Sequence, residues 1–180
     1  MSPRTMLFTT VTLLTLVLDQ ASKAWVVANI AVGREQLTVI EGLVSVVNRQ
    51  NTGAAFGTLT TLPFRQLLFG GFTLVALGVI VDVVRNLPPD NRGMAATCGL
   101  LFGGAAGNAL DRVRQGYVTD FLHLHVDIEP LHAWLDQLTG ITELPSFNIA
   151  DAAIVAGMGL FVVFFVRLPD DAPDSPAEAP

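Results

Sequence analysis

Charge is scarce in this chain of 180 residues: Asp, Glu, Lys and Arg make up 14% of it, against about 25% in a soluble domain. Cysteine is scarcer still. The lone Cys98 excludes an intrachain disulfide and any cysteine-rich metal site, and it reads as a small buried apolar residue. No cluster of basic residues suggests nucleic acid as a partner. No internal repeat is present, which argues against an inverted-repeat transporter. Neither a nucleophile elbow nor a serine-lysine signature is evident; Ser22 and Lys23 are adjacent, which does not aim one at the other on a helix. His123, His125, Asp127 and His132 lack an established ligand spacing, so no metal and no other cofactor is expected.

What is abundant is apolar. Hydrophobic residues are 51% of the chain and the mean hydropathy is +0.53. This composition describes an integral membrane protein, and the length describes one compact bundle. A spanning helix needs about 20 mostly apolar residues. Four segments qualify: 6–28, 67–84, 93–110 and 149–166. They define a single membrane domain over 1–168. The net charge of −6 is partly due to the acidic Pro/Ala-rich end 169–180, which cannot build a core and is expected to be disordered. The first span could pass for a secretory signal with a cleavage site near Ala21–Ala24, but the apolar run resumes at Ala24–Ala28. Arg4, Arg85, Arg92 and Arg167 lie in short flanks, where basic residues weigh most in orienting a membrane protein. Both termini are therefore expected in the cytoplasm, and the long loops 29–66 and 111–148 outside.

Asp19 and Lys23 are four residues apart on the first span, so they share a helix face and can pair; Lys23 could instead snorkel to the headgroups. In the first long loop, Gln36–Asn48 reads as strand. Asn51-Thr52-Gly53-Ala54-Ala55-Phe56-Gly57 follows, either a turn with positive φ at Gly53 or a cradle that receives an extended peptide. Gly103 and Gly107 form a GxxxG pattern that reads as close helix packing. Asn108, Asp111 and Arg112 share one helix face; Asp111 and Arg112 mark the water interface, or Arg112 holds phosphate or lipid carbonyls and Asn108 orients a carboxylate.

Asp120, in Tyr-Val-Thr-Asp-Phe, and Asp151, in Phe-Asn-Ile-Ala-Asp, sit among apolar residues where spans meet water. Ionisable residues there are functional candidates. Two close carboxylates share a proton and can serve as general base and general acid on one water. Asp151 and Asn148 also have plain readings, as a first-turn acid and a helix N-cap.

Together these segments resemble the lipoprotein signal peptidases (signal peptidase II), a family of bacterial integral-membrane aspartic proteases. The resemblance covers nearly all of 6–166. It rests on Asp19-Gln20 with Lys23, Asn51–Gly57, Gly107–Arg112, Val118–Phe121 and Phe147–Asp151, in that order. It implies a mainly α membrane protein with four transmembrane helices and a small extracytoplasmic β-cradle from the first long loop. It implies a catalytic dyad of Asp120 and Asp151, supported by Asn51, Gly53, Asn108, Arg112, Asn148 and Ala150, with Asp19 and Lys23 matching the first-helix motif. The implied reaction removes the signal peptide from diacylglyceryl-modified prolipoproteins, cutting before the lipidated cysteine, in the bacterial inner membrane among its lipids. Sensitivity to globomycin is implied as well. Two features depart from the family. The stretch between the aspartates carries an extra part, 125–144, with an expected surface helix over 130–138, and Thr119 stands where a small apolar residue is common. Two rival readings remain on the residues alone. A proton-coupled transporter would spread its carboxylates through the bilayer, and a scaffold would not bring Asp120 and Asp151 together.

Overall fold

The computed structural model describes residues 2–33, 36–53 and 65–167. Five helices and three strands follow one another as α1 (Pro3–Asn29), β1 (Gln36–Ile40), β2 (Val44–Asn51), α2 (Arg65–Asn86), α3 (Arg92–Gln115), β3 (Val118–Leu124), α4 (Leu131–Thr139) and α5 (Ile149–Arg167). The four segments expected to span are all helical. Two helical segments, Pro3–Asn29 and Leu67–Asn86, are long and apolar enough to cross a membrane, and Ile149–Phe164 is a shorter apolar stretch. α2 leaves Leu67, Phe72, Leu74 and Val75 exposed, and only 6% of its apolar window is buried. An apolar surface of that extent is unstable in water and suits lipid.

Local chemistry sets the helix ends. Ser2 caps α1, its hydroxyl accepting from Thr5 N–H, with Pro3 at the first helical position. Asn91 caps α3 through Met94 N–H at 3.1 Å. α3 stops at Gly116, which adopts φ +81°, a left-handed conformation that costs glycine nothing. That stop turns the chain straight into β3.

α3 is the central helix and carries α1, α2 and α5. Its approach to α1 is made by glycines four residues apart. A Cβ at Gly99, Gly103 or Gly107 would lie 2.6–2.8 Å from Val11, Thr15 or Asp19 of α1 respectively. The expected GxxxG packing is thus one turn longer than its two glycines. Gly104 faces the other way, and a Cβ there would meet the Ala150 carbonyl of α5 at 2.5 Å. Small residues at these positions let the polar side chains farther along α1, α3 and α5 meet.

The sheet is antiparallel in the order β1-β2-β3. The expected cradle was to come from the first long loop alone. Instead β3 arrives from the second loop, so Asp120 stands on a strand, opposite Arg49 of β2. The chain beyond β3 returns beside it, with Leu144 N–H donating to Leu124 O and Phe147 bridging Leu122. The extra part between the aspartates is therefore a hairpin, and α4 at Leu131–Thr139 is the expected helix within it. Val26 of α1 and Ile30, which caps its end, pack on Phe121, joined by Val46, Leu122 and Ile149. Each such buried side chain stabilises by about 1.5–3 kcal/mol. This cluster seats the sheet on the ends of α1 and α5. Residues 54–57 of the turn motif and the acidic tail fall outside the described residues.

Candidate active site

Asp120 and Asp151 approach from β3 and α5, and one amide joins them. Asn148 precedes α5. Its side-chain Nδ2 donates to Asp120 Oδ1 at 2.8 Å, while its Oδ1 accepts from Asp151 N–H at 2.9 Å. Its own backbone N–H donates to Asp151 Oδ2 at 3.2 Å. Asn148 is fully buried. The plain N-cap reading holds, and Asn148 bonds both carboxylates, Asp120 through its side-chain NH2 and Asp151 through its backbone N–H.

The remaining oxygens are also occupied. Asp120 Oδ2 accepts from Asn51 Nδ2 at 2.9 Å, and Asp151 Oδ1 accepts from Asn108 Nδ2 at 2.8 Å. Asn51 is oriented in turn by Gly53 N–H, which donates to its Oδ1 at 2.8 Å. Gly53 takes φ +81°, as expected of the turn, and a Cβ there would lie 2.8 Å from Phe69.

Burial is the largest force on Asp120 and, with the charge of Asp151, pushes its carboxyl up to about 6. The hydrogen bonds from Asn51 and Asn148 and the charge of Lys23 pull against that rise. A carboxyl so poised exchanges a proton near neutrality.

A second polar cluster backs the first. Lys23 is 4% exposed and Asp19 0%. Lys23 Nζ donates to Asp19 Oδ2 at 2.9 Å, to Asp111 Oδ2 at 3.0 Å and to Asn108 Oδ1 at 3.1 Å. The expected Asp19–Lys23 pair is formed. The alternative, Lys23 reaching for the headgroups, is not, because three acceptors in the bundle satisfy its three N–H groups. Asp19 Oδ1 accepts from Ala150 N–H at 3.0 Å, in the first turn of α5. Arg112 lies over the Phe69 ring at 5.5 Å and donates to Asn108 O at 3.3 Å.

Asp111 and Gln20 were not among the expected site residues. Gln20 Nε2 reaches both Asp19 Oδ2 and Asp111 Oδ1, at 3.1 and 3.0 Å. Asp111 Oδ2 also accepts Thr119 N–H, one residue before Asp120. The signal lay in the spacing: Asp111 follows Gly107 by one turn, on the stripe that faces α1. His123 and His125 stack side by side away from this cluster, His123 against Glu143 and His125 against Asp127 and Ser45.

Between α2, α3 and α5 runs a cleft of about 400 Å³, lined by Phe72, Ile80, Leu101, Ile154 and Met158 and ending at Asn108 and Arg112. It brings an apolar channel to the edge of the polar site.

The architecture is that of a bacterial membrane enzyme. A solved structure described as a bacterial membrane enzyme covers 89% of this chain and 92% of its own, with a TM-score of 0.72 and 26% identity. The chain belongs to the signal peptidase II family, whose model, described as "Signal peptidase (SPase) II", matches residues 11–167. It is accordingly a peptidase. The lipoprotein signal peptidases of Geobacter metallireducens and Geobacter sulfurreducens are 36% and 38% identical to it over 167 residues. These alignments cover 93% of this chain and 94% and 96% of theirs. That of Moorella thermoacetica is 37% identical over 84% of this chain and 87% of its own.

Proposed function

We propose that this chain is an intramembrane aspartic endopeptidase that removes the signal peptide from diacylglyceryl-modified prolipoproteins, cutting before the lipidated cysteine. The observation that carries the reading is the amide of Asn148 hydrogen-bonded to both aspartates. A scaffold has no use for two carboxylates brought together with all four oxygens accepting hydrogen bonds, and a transporter would not gather them at one end of the bundle.

Asp151 stands in the first turn of α5, where the helix N-terminus favours an anion. It is the base that takes a proton from water. Asp120, whose carboxyl is pushed up to about 6, holds the shared proton and donates it toward the peptide carbonyl, then toward the leaving amine. Asn51, Asn108 and Asn148 fix both carboxylates; Gly53 and Lys23 hold two of those amides, Asp19 holds Lys23 and the Ala150 N–H, and Arg112 lines the approach. The apolar cleft supports lateral entry of a substrate that stays anchored in the bilayer. Orientation of that kind lowers the barrier without new chemistry.

On this reading α1, α2, α3 and α5 span the bacterial inner membrane as one domain, with both termini cytoplasmic and the aspartates near the outer face. Globomycin should compete for the site. The test is cleavage of a purified diacylglyceryl-modified prolipoprotein in detergent, followed by gel shift. Wild type should release the signal peptide, and globomycin should block it. Asp120→Asn and Asp151→Asn should both be inert while folded; cleavage at the wild-type rate by either would overturn the dyad.

A further inference from the structure

Three amides surround the carboxylate pair, and an amide can present either its oxygen or its NH2. Donors toward the aspartates require that each amide oxygen be held from behind. For Asn51 the holder is Gly53 N–H, and for Asn148 it is Asp151 N–H. Both are backbone groups fixed by the fold. For Asn108 the holder is a side chain: Lys23 Nζ, 3.1 Å from Asn108 Oδ1. An ammonium can only donate. It therefore forces the Asn108 oxygen toward itself and the NH2 toward Asp151 Oδ1 at 2.8 Å.

Lys23 is the only lysine in the chain, and it is buried. Burying a cation is costly unless it is paired, and Asp19 and Asp111 supply the pairing at 2.9 and 3.0 Å. We propose that Lys23 is a positioning residue for the carboxylate pair, locking the Asn108 amide with its NH2 toward Asp151, and that Asp19 and Asp111 exist to hold that ammonium in place. The inference rests on the aspartic peptidase reading above. Without the lock the amide is free to flip and to set an oxygen against Asp151. Other charged groups around Asp151 are Asp120 from β3, Arg112 and Asp111 from α3 and Asp19 from α1, and none of them bonds the Asn108 side-chain oxygen; Arg112 donates to the Asn108 backbone carbonyl instead.

The test compares wild type with Lys23→Met/Asp111→Asn, which removes one charge of each sign and keeps the net charge of the buried cluster. Rates are measured on the diacylglyceryl-modified prolipoprotein across pH. The double variant should lose about tenfold or more in kcat with KM nearly unchanged. The acid limb of its pH–rate profile should move up, since a carboxylate that loses a donor binds its proton more tightly. Lys23→Arg should recover much of the rate, because a polar cleft of about 210 Å³ beside Lys23 has room for the larger head group. If the double variant does not fold, Asn108→Asp puts the same question with Lys23 intact. It keeps an oxygen for the ammonium but sets an oxygen toward Asp151, and it should shift the same limb in the same direction. An unmoved limb in whichever variant folds overturns the proposal, and so does a kcat loss that merely follows the folded fraction. Cleavage by Asp120→Asn or Asp151→Asn would instead defeat the dyad itself, so the two failures are distinguishable.

Discussion

Replacing Asn148 with alanine should harm the protein in two separable ways. The first is stability. The side chain caps α5 through Asp151 N–H, and losing an N-cap costs about 1 kcal/mol. It also donates to Asp120 Oδ1 in a fully buried setting, and leaving such a buried acceptor unpaired costs about 1–3 kcal/mol. Together these lower stability by roughly 3 kcal/mol. At about 2–4 °C per kcal/mol for a chain of this size, the melting midpoint should fall by roughly 6–12 °C. The second effect is on proton affinity. The Asn148 hydrogen bond pulls the Asp120 carboxyl down, so its removal lets that carboxyl rise further above about 6. A donor of about 1.4 kcal/mol corresponds to about one pH unit. The alkaline limb of the pH–rate profile, where the shared proton is lost, should shift upward by that amount. Asn51→Ala removes the other donor to Asp120 without touching the cap, and should shift the limb with a smaller loss of midpoint. The assays are thermal unfolding in detergent and cleavage across pH. A folded Asn148→Ala enzyme with an unmoved alkaline limb would refute the bridging role.

Gly107→Ala would set a methyl 2.6 Å from Asp19 Oδ2 and should lower stability by about 1–3 kcal/mol, whereas Gly159→Ala meets nothing within 4 Å and should be neutral or slightly stabilising; thermal midpoints decide between them. Gly116→Ala forces a side chain into φ +81° at the junction of α3 and β3, and should cost about 1 kcal/mol while cutting the cleavage rate through displacement of Asp120. Stability should also depend on pH through Asp120, whose carboxyl rises from 3.8 to about 6 on folding. The folded state binds that proton more tightly, so the contribution is fully present below about pH 3.8 and is lost as pH rises through about 6, for up to about 3 kcal/mol. Unfolding measured from pH 4 to 7 should lose that segment of its slope in Asp120→Asn.

The helices were legible because their apolar runs are local and long, and the Asp19–Lys23 pair because a four-residue spacing on a helix dictates a shared face. The turn at Gly53 was readable from its Asn-Thr-Gly chemistry. The third strand was not readable, since β2 and β3 are separated by two helices and their pairing is settled by contacts such as Phe121 on Val26 and Ile30. Asn148 was expected as a cap and, through the resemblance, as a support of the dyad, but which aspartate its side chain reaches was not readable. Its spacing to Asp151 announced a cap, but its reach to Asp120 depends on the hairpin that returns the chain beside β3. Asp111 read as a mark of the water interface, not as a buried partner of Lys23. Only the glycine stripe of α3 meeting Val11, Thr15 and Asp19 makes it one, by bringing the two helices close enough for Lys23 to reach across.

The buried ammonium on α1 has a bearing on how the protein is made. On the four-span reading, α1 enters the bilayer before α3 and α5 have been synthesised. A lone acidic or basic residue at a helix centre costs about 2.5–3.5 kcal/mol on insertion. Asp19 and Lys23 lie one turn apart and can neutralise each other during that interval. Asp111 and Asn108 reach Lys23 only when α3 arrives, and Asp151 and Asn148 only with α5. On the proposed dyad, the second aspartate arrives only with α5, so the peptidase would stay inert until its last helix is seated.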